Sequence, residues 1–195
     1  ETVRECSFTR NSEFKLYRMQ ADKMAGFDPD VFGVFLEKAS RNRAGLAEFI
    51  ERRRDVSVTV CDSNTVDGET PPNPPSTGFD LVVTSPPYGD SSTTVAYGQY
   101  SRLSAEWIGV EDARSVDSRS MGGRTSHAEL DLGPVAEPVE RIAASDAKRA
   151  RQVAGFYDDL ARSISTVADM LGEHAVTCYV VGNRRVKGVT LPTDE

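Results

Sequence analysis

The residues best suited to chemistry form the run Thr84-Ser85-Pro86-Pro87-Tyr88-Gly89, which follows a short apolar segment. Two consecutive prolines fix two φ angles and hold the preceding residue extended. They also remove two N–H donors, so the backbone here presents carbonyl acceptors. Ser85 adds a hydroxyl group and Tyr88 an aromatic face. A rigid, acceptor-rich turn beside a stacking ring suits a planar group that carries an NH₂, although the four residues could also form a simple polyproline-type turn.

This combination suits methyl transfer to the exocyclic amine of a nucleobase. The lone pair of such an amine is delocalised into the ring, so the nitrogen is a weak nucleophile. Hydrogen bonds from the NH₂ to Ser85 Oγ and the Pro86 carbonyl would localise electron density on the nitrogen as it attacks an S-methyl sulfonium. Tyr88 would stack on the base, which must leave the duplex to be reached. The sequence contains no Pro-Cys pair, which attack on a ring carbon would need.

Hydrophobic periodicity predicts the elements that precede this run. Asp28-Pro29 supplies a capping side chain and a first-turn proline to apolar residues that continue to Arg54, which predicts one or two helices. The alternating valines of 55–61 predict a strand. Two further predictions are a hairpin within 6–18 that turns at Asn11-Ser12 and a proline-rich loop over 63–78.

The segments that follow complete an α/β pattern. Residues 79–85 are almost continuously apolar, which predicts a parallel strand buried on both faces. Aromatic residues at helical spacing predict a helix within 94–109, and steps of three and four predict another over 145–171 that ends at Gly172. A second buried strand is expected at 174–181. This order favours an open α/β sheet, whose ligands bind beyond the carboxyl ends of the strands.

Composition narrows the classes of function. The 195 residues suit one domain or the greater part of one, and Lys+Arg 23 against Asp+Glu 30 gives a formal charge of −7. This balance argues mildly against a surface that grips nucleic acid everywhere but allows a basic stripe, and 18 of the 23 basic residues are arginine. Three widely spaced cysteines and two histidines predict no disulfide frame and no metal site, and they are typical of a reducing cytoplasm. No apolar run reaches the roughly 18–20 residues that cross a bilayer, so we expect no membrane partner.

The run 79–90 resembles the catalytic motif of amino-group DNA methyltransferases, which use S-adenosylmethionine. Its Ser-Pro-Pro-Tyr form is similar to that of N4-cytosine members, whereas N6-adenine members more often begin with Asp or Asn. Three further stretches resemble parts of the same family: 8–17, 97–104, and 181–184 through 191–194. The resemblance implies methylation of cytosine N4 in DNA, within a prokaryotic, cytoplasmic restriction-modification system. The residues to which it assigns catalysis are Ser85, Pro86, Pro87 and Tyr88.

The resemblance also implies a partial Rossmann-like methyltransferase sheet with helices on both faces and a long excursion after the catalytic strand. The family's glycine-rich cofactor loop, of the form F-x-G-x-G, has no counterpart in this sequence. We therefore expect 1–195 to be one partial catalytic domain, with the loop upstream of Glu1 or on a second chain. Asp62 and Thr84 are the cofactor-binding candidates. Asp62 follows the strand predicted at 55–61, where the family places a side chain near the adenine, but it also suits an ordinary turn.

Basic residues near predicted strand ends and motif edges are the candidates for contacts with DNA. Phosphate contacts would make binding fall with salt. Any one of these side chains also suits a solvated or salt-bridged surface. The excursion over 110–140, variable or mobile and without hydrophobic period, is a candidate for target recognition. The candidate DNA-binding residues are Arg10, Arg102, Arg184, Arg185 and Lys187.

Several alternatives stay open at this point. The same chemistry would serve N6-adenine in DNA, an amino base in RNA or a glutamine amide. The absent glycine-rich loop also suits a non-catalytic DNA-binding or assembly subunit. The chain starts within a strand-like segment and stops at a helix-start signal, so we expect a piece of a longer or split polypeptide, although frayed termini would look the same. The isolated chain is expected to bind S-adenosylmethionine weakly and to be inactive.

Overall fold

The computed structural model of the chain describes residues 1–10, 16–53, 55–90, 96–123, 125 and 131–194. The chain forms two compact units. The first unit contains Glu1–Val60 and Tyr97–Arg114, and the second contains Cys61–Ala96 and Ser115–Glu195. The helices are α1 (Thr2–Glu5), α2 (Ala21–Met24), α3 (Val31–Arg52), α4 (Tyr97–Trp107), α5 (Val116–Arg119), α6 (Ala136–Ala143) and α7 (Ala147–Ala168). The strands are β1 (Phe79–Thr84), β2 (Leu171–Tyr179), β3 (Arg184–Val186) and β4 (Val189–Leu191), and short 3₁₀ turns cover Thr65–Asp67 and Gly133–Val135.

Helix α3 is the longest element of the first unit. Its N-cap is Asp30, whose Oδ1 accepts a hydrogen bond from the Gly33 N–H at 2.9 Å. A Cβ on Gly33 would clash with this carboxylate, so glycine lets the cap close. The expected cap at Asp28-Pro29 is therefore wrong by two residues. One helix continues through Gly45, since a single glycine costs only about 1 kcal/mol in a helix interior.

The apolar side of α3 is open, and none of its residues is buried. Helix α1 packs against α3 and α4. Within that contact the Arg4 guanidinium lies 4.0 Å from the centroid of the Tyr100 ring. Lys38 of α3 forms ion pairs with Glu1 and Glu5 at 3.3 and 2.8 Å. Polar and cationic contacts, rather than burial of the apolar stripe, therefore join α3 to its neighbours. The large exposed side chains of α3 include Phe32, Phe35, Leu36, Leu46, Phe49 and Ile50.

Two strand predictions fall in this part of the chain. Thr9 and Arg18 form an isolated antiparallel bridge, in agreement with the hairpin prediction, whereas its turn at Asn11-Ser12 lies outside the described residues. The strand predicted at 55–61 is wrong. Alternating valines favour a strand only where a neighbouring strand accepts the backbone hydrogen bonds. No described strand pairs with 55–61, and Val60 is 92% exposed.

The second unit contains a strand at both places where the sequence predicts a buried one, and the two strands pair in parallel. No residue of β2 is buried, so the prediction that the second strand is buried is wrong. Strand β1 pairs with β2 from Leu81↔Val176 to Thr84↔Tyr179. The prediction that β1 is buried on both faces is wrong, because Leu81 and Val83 are 60% and 67% exposed. Among the described residues this sheet ends at two strands, and nothing described covers the face that carries Leu81 and Val176. The structure thus shows a small α/β sheet with one open face, rather than helices on both faces.

Helix α7 packs the core of the second unit. Its buried side chains meet α6 and the hairpin of β3 and β4. The helix ends at Ala168, so the expected end at Gly172 is wrong: Gly172 lies within β2. A Cβ on Gly78 would lie 2.5 Å from the Gly172 backbone nitrogen, which shows how closely these two backbones approach. The buried core residues are Val139, Ile142, Ala150, Val153, Val186, Val189 and Leu191.

The basic segment 184–187 forms the first strand and part of the turn of a β-hairpin. Strands β3 and β4 pair antiparallel around Lys187-Gly188. Both turn residues have positive φ, 50° and 82°. Such a two-residue turn matches the natural twist of the strands. Val186 and Val189, which flank the turn, are buried, and their burial fixes the register of the hairpin.

The excursion predicted over 110–140 is not wholly irregular. It contains α5 and, at its end, the start of α6. Pro138 lies in the first turn of α6, where a missing N–H costs nothing, and Val139 and Ile142 are buried. An eight-residue helix gives too few apolar positions to show a period. Residues 124 and 126–130 of the excursion lie outside the described residues, and no described helix is long and apolar enough to cross a membrane.

Candidate active site

Parallel pairing brings the ends of β1 and β2 to one edge of the sheet. Thr84 pairs with Tyr179, and the Val180 N–H donates to the Thr84 carbonyl at 2.8 Å. The 85–88 motif and the segment after β2 therefore leave the sheet side by side. This carboxyl edge is where open α/β sheets bind ligands.

The 85–88 motif presents its polar and aromatic groups to solvent. Pro86 and Pro87 are half-buried, whereas Ser85 and Tyr88 are exposed, with Tyr88 at 49%. Ser85 Oγ donates a hydrogen bond to the Tyr88 hydroxyl oxygen at 3.1 Å. As a donor in this bond, the Ser85 hydroxyl keeps lone pairs that can accept hydrogen bonds from a ligand. The arrangement can bind a planar group that carries an NH₂.

Beyond the motif, the chain enters a buried ion-pair cluster. Asp90 is fully buried. The guanidinium of Arg149 on α7 holds it with two hydrogen bonds, Nη1 to Oδ1 at 2.9 Å and Nη2 to Oδ2 at 2.8 Å. Arg184, from the segment after β2, donates to Asp90 Oδ2 from both Nη atoms at 3.3 Å. The motif is therefore fixed at its far end by one carboxylate and two cations.

Sequence reasoning missed this cluster, although a signal was present. Arg149, Val153, Phe156 and Leu160 are separated by steps of four, three and four. This spacing places Arg149 on the buried stripe of α7, where all four residues are buried. A charged residue in such a stripe requires a buried partner. The sequence alone does not single out Asp90 as that partner.

The DNA candidates of the second unit lie in three different settings. The Arg184 side chain is only 12% exposed and is paired with Asp90. Arg185 is exposed, and its Nε donates to the Gly188 carbonyl at 3.0 Å. Lys187 forms an ion pair with Asp146 at 3.0 Å. Arg185 and Lys187 lie on the β3–β4 hairpin and are accessible, whereas Arg184 lies against the motif.

The other two DNA candidates, Arg10 and Arg102, belong to the first unit. Arg10 is exposed, and its guanidinium lies 5.7 Å from the centroid of the Tyr17 ring. Arg102 forms an ion pair with Glu106 at 3.1 Å, and Arg114 binds the same carboxylate at 2.9 Å. These two cations lower the pKa of Glu106 below its ordinary value. Arg102 is therefore already engaged with a partner on its own helix.

The cofactor candidates Asp62 and Thr84 both belong to the second unit but do not form an enclosed site. Asp62 is exposed and follows a segment that is not a strand, so the strand-end setting expected for it is wrong. Thr84 ends β1 with its backbone carbonyl occupied by Val180. A carboxylate and a hydroxyl could accept hydrogen bonds from an adenosine, but the described residues provide no glycine-rich cradle beside them. The fit to S-adenosylmethionine is therefore partial.

Segments 181–184 and 191–194, which both resemble parts of amino-group DNA methyltransferases, are in contact in the structure. Asn183 Oδ1 accepts hydrogen bonds from the backbone N–H groups of Thr193 and Asp194, at 2.7 and 3.3 Å. The Tyr157 hydroxyl lies 2.7 Å from Thr193 Oγ1. These contacts tie the segment after β2 to the C-terminal stretch and to α7. The described residues contain no cluster of three His, Cys, Asp or Glu side chains that could hold a metal ion.

The fold and the site together define an α/β protein with an exposed Ser-Pro-Pro-Tyr motif at the carboxyl edge of a parallel sheet. Comparison with known proteins narrows this class. The whole chain is 39% identical over 210 aligned positions to the type II methyltransferase M.MvaI of Kocuria varians, and the match covers 46% of that protein. The chain is thus homologous to a type II methyltransferase and spans about half the length of this relative. No family model and no solved structure matches the chain.

Proposed function

We propose that this chain carries the base-binding part of a DNA methyltransferase that modifies cytosine N4, within a restriction-modification system. The observation that carries the proposal is the exposed 85–88 motif beyond the end of β1, beside the segment that follows β2. The homology to a type II methyltransferase over the whole chain supports it. The Ser-Pro-Pro-Tyr form of the motif favours cytosine N4 over adenine N6.

In this mechanism the chain's own residues bind and orient an extruded cytosine. Ser85 Oγ and the Pro86 carbonyl accept the two hydrogen bonds of the amine, which raises the electron density on nitrogen. Tyr88 stacks on one face of the base, an interaction worth about 1–3 kcal/mol per base. S-adenosylmethionine, when bound, supplies the electrophilic methyl group. The methylated amine then releases its extra proton to water, since Ser85 and Tyr88 are both exposed.

The cofactor is held only in part by this chain. Asp62 and Thr84 are the proposed contacts to its adenosine half. We place the remaining contacts, including a glycine-rich loop, in a longer polypeptide, and the relative's length leaves room for such a segment. The pure chain should then bind S-adenosylmethionine weakly or not at all. Micromolar binding of the cofactor to the chain alone, measured by calorimetry, would contradict the partial site.

Phosphate contacts are assigned first to Arg185 and Lys187, which are exposed on the same unit as the motif. Arg10 and Arg102 of the first unit are further candidates, as is the 110–140 segment for target recognition. Each phosphate contact adds close to 0.9 to the slope of log affinity against log salt. Arg185→Gln should therefore reduce this slope by about 1, without changing which DNA sequence is preferred.

Activity can be tested in a chimera in which this chain replaces the matching stretch of the Kocuria varians methyltransferase. We expect digested DNA to contain N4-methylcytosine, and Ser85→Ala and Tyr88→Ala to lose rate strongly. Asp80→Asn, at an exposed carboxylate near the other end of β1, is the matched control and should keep full activity.

The modified base decides between the candidate functions. N6-methyladenine in the digest would replace the cytosine proposal with its adenine counterpart. Methylation of RNA or of a glutamine amide, without methylation of DNA, would show that the substrate is RNA or protein rather than DNA. A folded chimera that binds DNA and the cofactor but transfers no methyl group would favour a non-catalytic DNA-binding role for this chain.

A further inference from the structure

We propose that Asp90 is the positioning residue of the 85–88 motif, and that Arg149 and Arg184 hold it in place. This inference rests on the proposed function, because it assigns Asp90 a role in the same reaction. Asp90 does not reach the base. It acts through the backbone of Tyr88 and Gly89, which it fixes against α7 and against the segment that follows β2.

Asp90, Arg149 and Arg184 form the buried ion-pair cluster described above, which we call the clamp. Asp90 is fully buried and Arg149 is 8% exposed, so the two-bond pair between them is shielded from water. Two parallel N–H···O bonds define an orientation as well as a distance. Arg184 adds a longer contact from a second direction, at 3.3 Å. One carboxylate thus joins three chain segments that are far apart in sequence.

Close backbone packing extends this clamp to the motif. Gly89 has φ of 151°, and a Cβ there would clash with the Arg184 guanidinium, so Arg184 lies directly on the backbone next to Tyr88. On the other side, a Cβ on Gly122 would lie 2.8 Å from the Asp90 Cα. The Gly122 N–H donates a hydrogen bond to Asp159 Oδ2 of α7 at 2.8 Å. This bond holds the Gly122 backbone in place against Asp90.

The physical argument is that a buried ion pair is a poor source of stability but a good source of specificity. Desolvation of three charged groups offsets much of their attraction, so a well-packed apolar cluster would serve stability equally well. An apolar cluster would not fix the direction in which the chain leaves Tyr88. Misplacement of a binding group by about 1 Å can cost on the order of 100-fold in rate.

The first arm of the test uses the chain alone and measures amide hydrogen exchange. Asp90→Asn should speed exchange at Ser85, Tyr88 and Gly89 by on the order of tenfold, while Val153 and Phe156 in α7 keep their protection. Arg149→Lys keeps the positive charge but cannot make the two parallel hydrogen bonds to Asp90, so it should give the same exchange pattern more weakly. This variant tests the proposal if Asp90→Asn does not fold. Asp80→Asn is the control. Equal loss of protection in the motif and in α7 would overturn the proposal, because it would show a general structural role.

The second arm measures kcat in the chimera through a double-mutant cycle. Asp90→Asn should lower kcat by on the order of 100-fold in the parent, but far less when Ser85 is already Ala, since the misplaced group is then absent. If Asp90→Asn lowers kcat by the same factor with and without Ser85→Ala, the positioning role is overturned. If the unmodified chimera forms no methylated base while the exchange pattern of the first arm is observed, the proposed function fails and the clamp stands.

Discussion

Ser85 and Tyr88 are joined through their side chains, with Ser85 Oγ donating to the Tyr88 hydroxyl oxygen across 3.1 Å. The bond spans Pro86-Pro87, whose fixed φ angles hold the two side chains on the same side of the turn. Nearly half of Tyr88 is exposed, so its ring is oriented but not covered. The turn therefore presents a preformed surface to solvent, since both groups are held in place by this bond and by the prolines.

This arrangement predicts different losses for two substitutions at Tyr88. Tyr88→Phe removes the bond to Ser85 but keeps the ring, and should reduce kcat/KM of the chimera about 2- to 10-fold, the equivalent of one neutral hydrogen bond. Tyr88→Ala removes the stacking surface and should reduce it about 5- to 150-fold. Steady-state methylation of a DNA duplex gives both values. Equal losses would mean that the ring does not stack on the base.

Gly89→Ala should destabilise the second unit by more than its backbone strain alone. Left-handed and related conformations cost a non-glycine residue on the order of 1–3 kcal/mol, and the new Cβ would also displace Arg184 from Asp90. Gly68 is the matched control, because it has φ of 79° and open space around it. Urea unfolding of the chain should show a larger loss for Gly89→Ala than for Gly68→Ala. In an Arg184→Gln background the excess should disappear.

Local patterns predicted several helices and strands well. The apolar run of β1, the aromatic spacing of α4 and the three-four steps of α7 each appear in the structure at nearly the expected bounds. Such patterns work because the spacing of apolar residues is a property of each helix's or strand's own sequence. The patterns did not specify which strands pair. The structure shows that β1 pairs in parallel with β2, which brings the motif and the segment that contains Arg184 to one edge.

Predictions failed where the outcome depends on a partner elsewhere in the chain. The valines of 55–61 alternate as in a strand, yet no described strand pairs with them. The sequence offers Arg184 as a DNA contact or as a solvated or salt-bridged surface group, and only the three-dimensional structure identifies Asp90 as its partner. Asp62 does not lie at a strand end, because the strand predicted at 55–61 does not form. Spacing along a sequence does not specify which distant carboxylate meets which distant cation.

Two tyrosines of the second unit offer a paired stability test. Tyr157 shares a hydrogen bond of 2.7 Å with Thr193, so Tyr157→Phe should cost about 1 kcal/mol in urea unfolding. The Tyr179 hydroxyl is buried and has no hydrogen-bond partner among the described residues. Tyr179→Phe should therefore be neutral or stabilising. A comparable loss in both variants would mean that Tyr179 also bonds a partner in solution.

Burial raises the pKa of both tyrosines above the ordinary value near 10. A raised pKa in the folded state gives stability that is complete below the unfolded pKa and is lost as pH rises through the folded pKa. The chain should thus lose stability above about pH 10. Tyr157→Phe should weaken this alkaline dependence, measured by urea unfolding between pH 8 and 11.

Asp146 should contribute to the acid dependence of stability. The Arg149 backbone N–H that its carboxylate caps, and the Lys187 ammonium beside it, lower the pKa of Asp146. A lowered pKa gives stability that is present above the unfolded value of about 3.9 and is lost as pH falls through the folded pKa. Asp146→Asn can still cap α7 but carries no charge. It should be less stable than the parent at pH 7, with the difference shrinking below about pH 4. Lys187→Gln should show a smaller change of the same sign.

Helix α3 should tolerate polar substitutions along its apolar side. Phe32 is 80% exposed and no residue of the helix is buried, so Phe32→Gln should change the free energy of unfolding by less than about 0.5 kcal/mol. Clustered exposed apolar side chains bind hydrophobic dyes, and the pure chain should therefore enhance ANS fluorescence. Phe32→Gln with Phe49→Gln should reduce that signal. Phe156→Leu, in the buried part of α7, is the contrasting variant and should lower stability by about 1 kcal/mol or more. A large stability loss in the α3 variants would show that this face is covered in solution.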